Sequence, residues 1–304
     1  MTKPVLLLLT GVGLFASLLC GQQLTPEQTR QIDAAIPKKA PAKPKKARRL
    51  LVTNFAKNGD RIIRGHPSIP AGNYAIEQMG KRTGAYEAVF SNDIEMFRPD
   101  KIAQFDAICF NNTQGVLFDD PELRKSLLDY IQAGHGFVGF HAAIATFVQS
   151  PVYDQWPPFG RMLGGTENGG HPWGPTDSYT FKVDDPKSPI DAAFHGRGFE
   201  VTDEVMQLQE TTPRDHIHVL LSIDMDKSKP THKLLPVREQ DKDFPLTWIR
   251  TEGKGRVFCS GMGHVPSVFW NAPLLEHFLA GIQYALGDLK ADATPSAKLV
   301  SRKK

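Results

Sequence analysis

Apolar residues fall along this chain in short runs separated by longer amphipathic stretches. Leu50-Leu51-Val52-Thr53-Asn54-Phe55, Tyr86 to Phe90, Phe105 to Phe110 and Phe137 to Phe140 have strand length and end at turn residues. Such runs read as buried strands. Helical patterns lie between them. Ala71 to Arg82 carries Tyr74, Ile76 and Met79, and a second segment opens at Asp119-Asp120-Pro121-Glu122 and carries Leu123, Leu127, Leu128 and Ile131. The second has a capping acid, a first-turn proline and one apolar stripe. Strands alternating with helices at this spacing predict an α/β domain with a parallel sheet and right-handed crossovers.

The pattern changes after the fourth run. Ser150 to Pro175 is rich in glycine, proline and aromatics, and reads as a long binding loop or lid. Tyr179 to Val183, Val205 to Leu208 and Ile217 to Ile223 read as strands without long helices between them. Pro245 to Arg250 and Arg256 to Ser260 read as a hairpin, and Pro273 to Leu286 as a closing helix. The second half is therefore richer in strand.

The ends differ from this pattern. Lys3, the apolar Val5 to Leu19 and the small Gly21 have the layout of an export signal over residues 1–21, too short for a membrane span. The mature chain is expected in the periplasm or outside the cell. A lipid anchor on Cys20 fits less well, because Leu18-Leu19 replaces the small residue expected before a lipidated cysteine. Residues 22–49, with their Pro/Lys/Ala run, read as a disordered tether with room for a brief helix around Pro26 to Ala35, and 289–304 as a disordered basic tail. That leaves one domain over 50–288. The net charge of +3 is small and sits partly in these ends, so nothing argues for nucleic acid. Cys109 and Cys259 lie inside apolar runs and read as packing residues.

Candidate chemistry gathers on histidines. Four lie beside glycine or in a Gly/Pro turn at or after a strand end: His66, His141, His171 and His264. His141 follows Gly136-Phe137-Val138-Gly139-Phe140 and precedes two alanines, a setting for a sharp turn at the carboxyl edge of the sheet. A buried, hydrogen-bonded histidine is the bland alternative. Imidazole can act as general acid or base, as hydrogen-bond donor or as metal ligand. No His-Glu-x-x-His pattern appears, so a divalent metal such as zinc stays one reading among several. Asp203 and Glu204 could add carboxylates to the same cleft, Asn112 stands at a strand end, and Trp156 and Trp173 offer faces for a sugar ring. His195, His216, His218, His232 and His277 read as surface or packing residues, and Trp248 as core.

Several stretches resemble the ThuA-like family, named for trehalose utilisation. They include Pro70-Ala71-Gly72-Asn73-Tyr74, Asn111-Asn112-Thr113, Gly136 to Ala143, Met162-Leu163-Gly164-Gly165 and His171-Pro172-Trp173. Thr202-Asp203-Glu204, Gly253 to Phe258 and Gly263-His264 complete the set, in family order, between Leu50 and Gly287. The resemblance implies a class I glutamine amidotransferase-like fold, a flavodoxin-like three-layer α/β/α sandwich. His141 stands where amidotransferases place their nucleophilic cysteine, and His264 where their catalytic histidine lies. Without a thiol, glutamine thioester chemistry is excluded. Many relatives carry His-Pro-Ile where this chain has Ser188-Pro189-Ile190.

The family also implies a small carbohydrate substrate, in the form of a keto-sugar or glycoside derivative. His141 or His264 would serve as base with His171 polarising the carbonyl, leaving isomerase, lyase and hydrolase open. His66, Asn112, Trp156, Trp173, Asp203 and Glu204 would hold the substrate. A non-catalytic carbohydrate-binding or accessory protein and a metal-dependent hydrolase are the competing readings. Oligomeric state is not legible.

Overall fold

The four runs read as buried strands become neighbouring parallel strands. The computed structural model describes residues 23–58, 61–148, 156–167, 170–230 and 243–301. In the first half these form α1 (Pro26–Ala35), β1 (Arg49–Thr53), a small hairpin of β2 (Lys57–Asn58) and β3 (Arg61–Ile62), α2 (Ile69–Thr83) and β4 (Glu87–Phe90). Next come α3 (Pro99–Ile102), β5 (Ala107–Asn111), α4 (Pro121–Gln132) and β6 (Gly136–Phe140). The second half supplies α5 (Pro157–Leu163), β7 (Ser178–Val183), β8 (Glu200–Thr202), β9 (His218–Ile223), β10 (Pro245–Glu252), β11 (Gly255–Ser260), α6 (Ala272–Ala285) and α7 (Ser296–Ser301).

One nine-stranded sheet runs β4-β1-β5-β6-β11-β10-β9-β7-β8. The pairings from β4 to β11 are parallel, and those from β11 outward to β8 are antiparallel. Counting only the parallel strands in chain order gives 2-1-3-4-5, the flavodoxin-like order, in which ligands bind beyond the carboxyl ends of the strands. β7 to β10 extend one side of this sheet.

Alternation along each strand divides the core into two layers. On β5, Ala107 and Cys109 face α1, α2 and α6, while Ile108 and Phe110 face α3, α4 and α5. This is the expected three-layer sandwich. Cys109 and Cys259 lie in opposite layers, and both are free, buried thiols. The stripe on α4 packs as predicted, with Leu123, Leu127 and Ile131 buried and Asp120 capping the Glu122 N–H. Each such side chain contributes about 1.5–3 kcal/mol on full burial. Gly72 lets α2 reach the end of β5. A Cβ there would meet the Asn111 amide at 2.8 Å.

Four expectations need correction. Residues 23–49 are packed rather than a loose tether. Thr25 and Gln28 form a capping box at the start of α1, and Ile32, Ala35 and Ile36 join the core. Ala42 exchanges two hydrogen bonds with the Gln283 side chain (2.8 and 2.7 Å), and Arg48 pairs with Asp288 and Asp106 at 2.7 and 3.0 Å. A Pro/Lys/Ala composition forbids regular structure but not these long-range bonds. The tail behaves similarly. Leu289, Ala291 and Ala293 pack on the core, and Ser296 N–H donates to the Ile217 carbonyl at 3.0 Å.

The third correction concerns the long loop. Trp156-Pro157-Pro158 starts α5, with proline in its first turn and Gly164 ending it at φ 89°. Proline and glycine there punctuate a helix rather than forbid one. Fourth, Val205 to Leu208 makes only isolated bridges to Trp173 and Glu167, and the strand lies earlier, at β8. The expected export signal over 1–21, with Cys20, lies outside the described residues. Among those described, no helix is long and apolar enough to cross a membrane.

Candidate functional site

Four segments meet above the carboxyl ends of β5, β6 and β11. His141 follows β6 directly and opens a 3-10 turn over His141–Ala145, with φ 45°. Positive φ in a residue with a Cβ stores about 1–3 kcal/mol and persists only where its surroundings hold it. Asn112 follows β5 with φ 57°, and its N–H donates to the Phe140 carbonyl at 3.2 Å, joining the two strand exits. Beyond β11, Gly263 takes φ 122°, a conformation open to glycine. Ser68, in the segment leading to α2, donates its hydroxyl proton to the Gly263 carbonyl at 2.6 Å.

Asp203 fixes the turn that carries His264. Its carboxylate accepts the N–H groups of Gly263 (2.7 Å), His264 (3.0 Å) and Val265 (3.0 Å). Burial pushes this carboxyl above its ordinary range, opposed by the charge of His141 and by those backbone donors. Asp203 is fully buried, so the expected substrate contact is corrected to a positioning role. Asn112 is likewise fully buried, and its amide N–H groups reach Asn111, Ser68 and Gly263.

Three imidazoles converge on this frame. His66, His141 and His264 each offer one ligand atom, and these all lie within 4.8 Å of one another. Every pair of ring centroids is 5.0 Å apart, with interplanar angles of 83–85°. His141 Nδ1 lies 2.8 Å from the Gly261 carbonyl. A carbonyl only accepts, so Nδ1 carries a proton. The Nε2 of the same ring faces His264 Nδ1 at 3.1 Å. Glu204 Oε2 stands 3.0 Å from His264 Nδ1 and 3.5 Å from His141 Nε2. Burial raises the Glu204 pKa, but hydrogen bonding to His141 and His264 and the charge of His171 outweigh it, and the group is held well below the carboxylate range. His66 is held down to about 3, chiefly by burial and then by the charges of His141 and His264. It is a neutral imidazole at physiological pH.

His171 borders the cluster, with Nδ1 3.8 Å from Glu204 Oε1 and Nε2 3.1 Å from Glu167 Oε1. Burial works to lower its pKa, but the Glu167 hydrogen bond and the Glu204 charge prevail and raise it. Accessibility ranks the group. The His171 side chain is 33% exposed, His264 18%, Glu204 11% and His141 0%. Of these four, His171 is the most open to solvent and His141 the most enclosed.

The structure thus brings together His66, His141, His171, His264 and Glu204, with Asp203 and Asn112 as supports. The aromatic expectation fails. Trp173 is fully buried against Tyr179 and Phe244, and Trp156 stacks on Phe159 beneath Arg124. Both are core residues. Glu167 and Ser68 were missed in the sequence. Only the spacing of four residues between Glu167 and His171 could have pointed to the first.

Comparison with known proteins agrees with the fold. A crystal structure of a ThuA-like protein from Bacteroides uniformis superposes at TM-score 0.65 with 20% identity, covering 82% of this chain and 96% of that one. A ThuA-like protein from Parabacteroides merdae gives TM-score 0.56 and 17% identity, over 81% and 93%. No curated protein matches the chain in sequence. The family model described as trehalose utilisation matches residues 52–285, and this chain belongs to that ThuA family.

Proposed function

We propose that the protein is an enzyme of carbohydrate breakdown that moves a proton at a carbon next to a carbonyl, on a keto-sugar or keto-glycoside. The observation that carries this reading is the accessible His171, set between Glu167 and Glu204 beside a trio of imidazoles that are partly or fully enclosed. Such a proton carrier needs a pKa near the working pH and an electrophile beside it. The family's description as trehalose utilisation supports the carbohydrate class.

In this reading the roles first suggested by sequence are exchanged. His171 takes the proton from the carbon α to the keto group. The C–H electron pair becomes the enolate double bond, and negative charge moves to the carbonyl oxygen, which the imidazole cluster stabilises. Where the α-carbon bears a hydroxyl, passage of the hydroxyl proton to the former carbonyl oxygen and return of the first proton to the former carbonyl carbon moves the keto group by one carbon, which is isomerisation. Collapse of the enolate with loss of a glycosidic oxygen, which takes the proton from His171, gives elimination. A binding-only reading loses support, because the two tryptophans expected to stack on a sugar are buried.

The test is exchange of the α-proton of a 3-keto-glycoside in deuterated water, followed by proton NMR. Wild-type protein should catalyse exchange. His171→Gln should slow it by about 10²–10⁴-fold without changing the melting temperature. A panel of 3-keto-glycosides showing no exchange and no product would sink the proposal.

A further inference from the structure

The trio of imidazoles has a geometry that hydrogen bonding among histidines does not explain. In a neutral His141, Nε2 can only accept, because Nδ1 donates to the Gly261 carbonyl. His264 Nδ1 can carry one proton, yet both His141 Nε2 and Glu204 Oε2 face it, at 3.1 and 3.0 Å. His66 Nδ1 is buried and has no hydrogen-bond partner among the described residues. Lone pairs therefore outnumber protons, and a cation resolves the mismatch.

We propose that His66, His141 and His264 bind one divalent transition-metal ion of the zinc class, with the Glu204 carboxylate on its open side. Ligands held about 2.0–2.1 Å from a tetrahedral ion lie roughly 3.3 Å from one another. The 3.1 Å separation between His141 and His264 and the 3.0 and 3.5 Å separations to Glu204 fall near that edge length. The near-equal centroid distances and near-perpendicular planes put three rings around one point instead of in a stack. The bond from His141 to Gly261 is the kind of outer contact that fixes a metal-bound imidazole. Asp203 holds the His264 turn in the same way, through the backbone. Neutral imidazoles beside a carboxylate suit zinc, copper, iron or nickel better than magnesium or calcium.

The inference rests on the same site as the proposed function, and supplies that function's electrophile. Its test does not depend on turnover. Protein made without a histidine tag is stripped with a chelator, dialysed, and titrated with zinc or cobalt(II). One equivalent should bind, and cobalt should give visible d–d absorption. His66→Ala, His141→Ala and His264→Ala should each weaken zinc binding by more than about 100-fold, while the exposed His216→Ala leaves it unchanged. His66→Gln serves if an alanine variant fails to fold. Absence of stoichiometric binding, or binding that survives in the His66/His264 double variant, would overturn the site. Bound zinc with no α-proton exchange would keep the site and remove the catalytic reading. Exchange that persists undiminished in metal-free protein would keep proton transfer and remove the metal's part in it, leaving the site to be judged by the binding titration.

Discussion

Two buried histidine–carboxylate groupings sit on this sheet and behave as opposites. His277 on α6 stands 3.0 Å from Asp191 Oδ1, with both side chains 0% exposed. The rings of Phe194, Phe258 and Phe278 surround it. Burial raises the Asp191 pKa, and the His277 contact offsets this only in part. His277 Nδ1 also lies 3.2 Å from the Ile190 carbonyl, and aromatic rings close the remainder. At the sheet edge, Glu204 faces His264, His141 and His171, and His171 reaches solvent. The two groupings share burial and ion pairing and differ in access: Asp191 and His277 are sealed, whereas His171 opens the other group to solvent.

The sharpest test of that contrast is His277→Leu. It leaves Asp191 buried without a partner and should cost about 3–5 kcal/mol of stability in urea unfolding, with exchange activity per folded molecule unchanged. Replacing Asp191 by Asn as well should recover part of the loss. A single variant as stable as wild type would erase the distinction.

Asp203→Asn should have a smaller effect. It replaces one acceptor of three backbone N–H groups with a donor, at a cost of roughly 1.5–3 kcal/mol. It should also slow α-proton exchange, because the His264 turn loses its anchor. Unchanged exchange would mean that His264 is held by other contacts.

The smallest effect is electrostatic. His171 has a raised pKa and would act as the neutral base, so the acid limb of the rate profile should lie above the ordinary histidine value of 6.5. Glu167→Gln removes the leading contribution that raises it, and the limb should move to lower pH. Protonation of His171 also favours the folded state. That contribution is complete below pH 6.5 and is lost as pH rises through the folded value. A limb that stays in place in the variant would show that another group sets it.

These contrasts also explain what the sequence could convey. Periodicity located β1, β5, β6, β9, β10 and β11 to within two or so residues, because each is an apolar run stopped by a turn residue. It allowed the helix at Pro26–Ala35 but failed for residues 36–49, where order comes from partners such as Gln283 and Asp288 more than two hundred residues away. At the site, glycine-flanked turns pointed to His66, His141, His171 and His264, but no local signal shows that they converge. Asp203 and Glu204 were legible only as an acidic pair. In the fold they separate, one binding backbone N–H groups and the other facing the imidazoles. Trp156 and Trp173 misled because an aromatic in a Gly/Pro-rich stretch looks exposed, whereas both close the core.

The place of β11 has a kinetic consequence. β6 ends at Phe140 and β11 starts at Gly255, yet the two pair from Gly136 with Arg256 to Phe140 with Ser260. During synthesis, β6 therefore waits with one open edge while more than a hundred further residues emerge, an arrangement that slows folding and invites mispairing. The same delay is a safeguard. His264 lies just beyond this last strand, so an incomplete chain cannot assemble the reactive cluster.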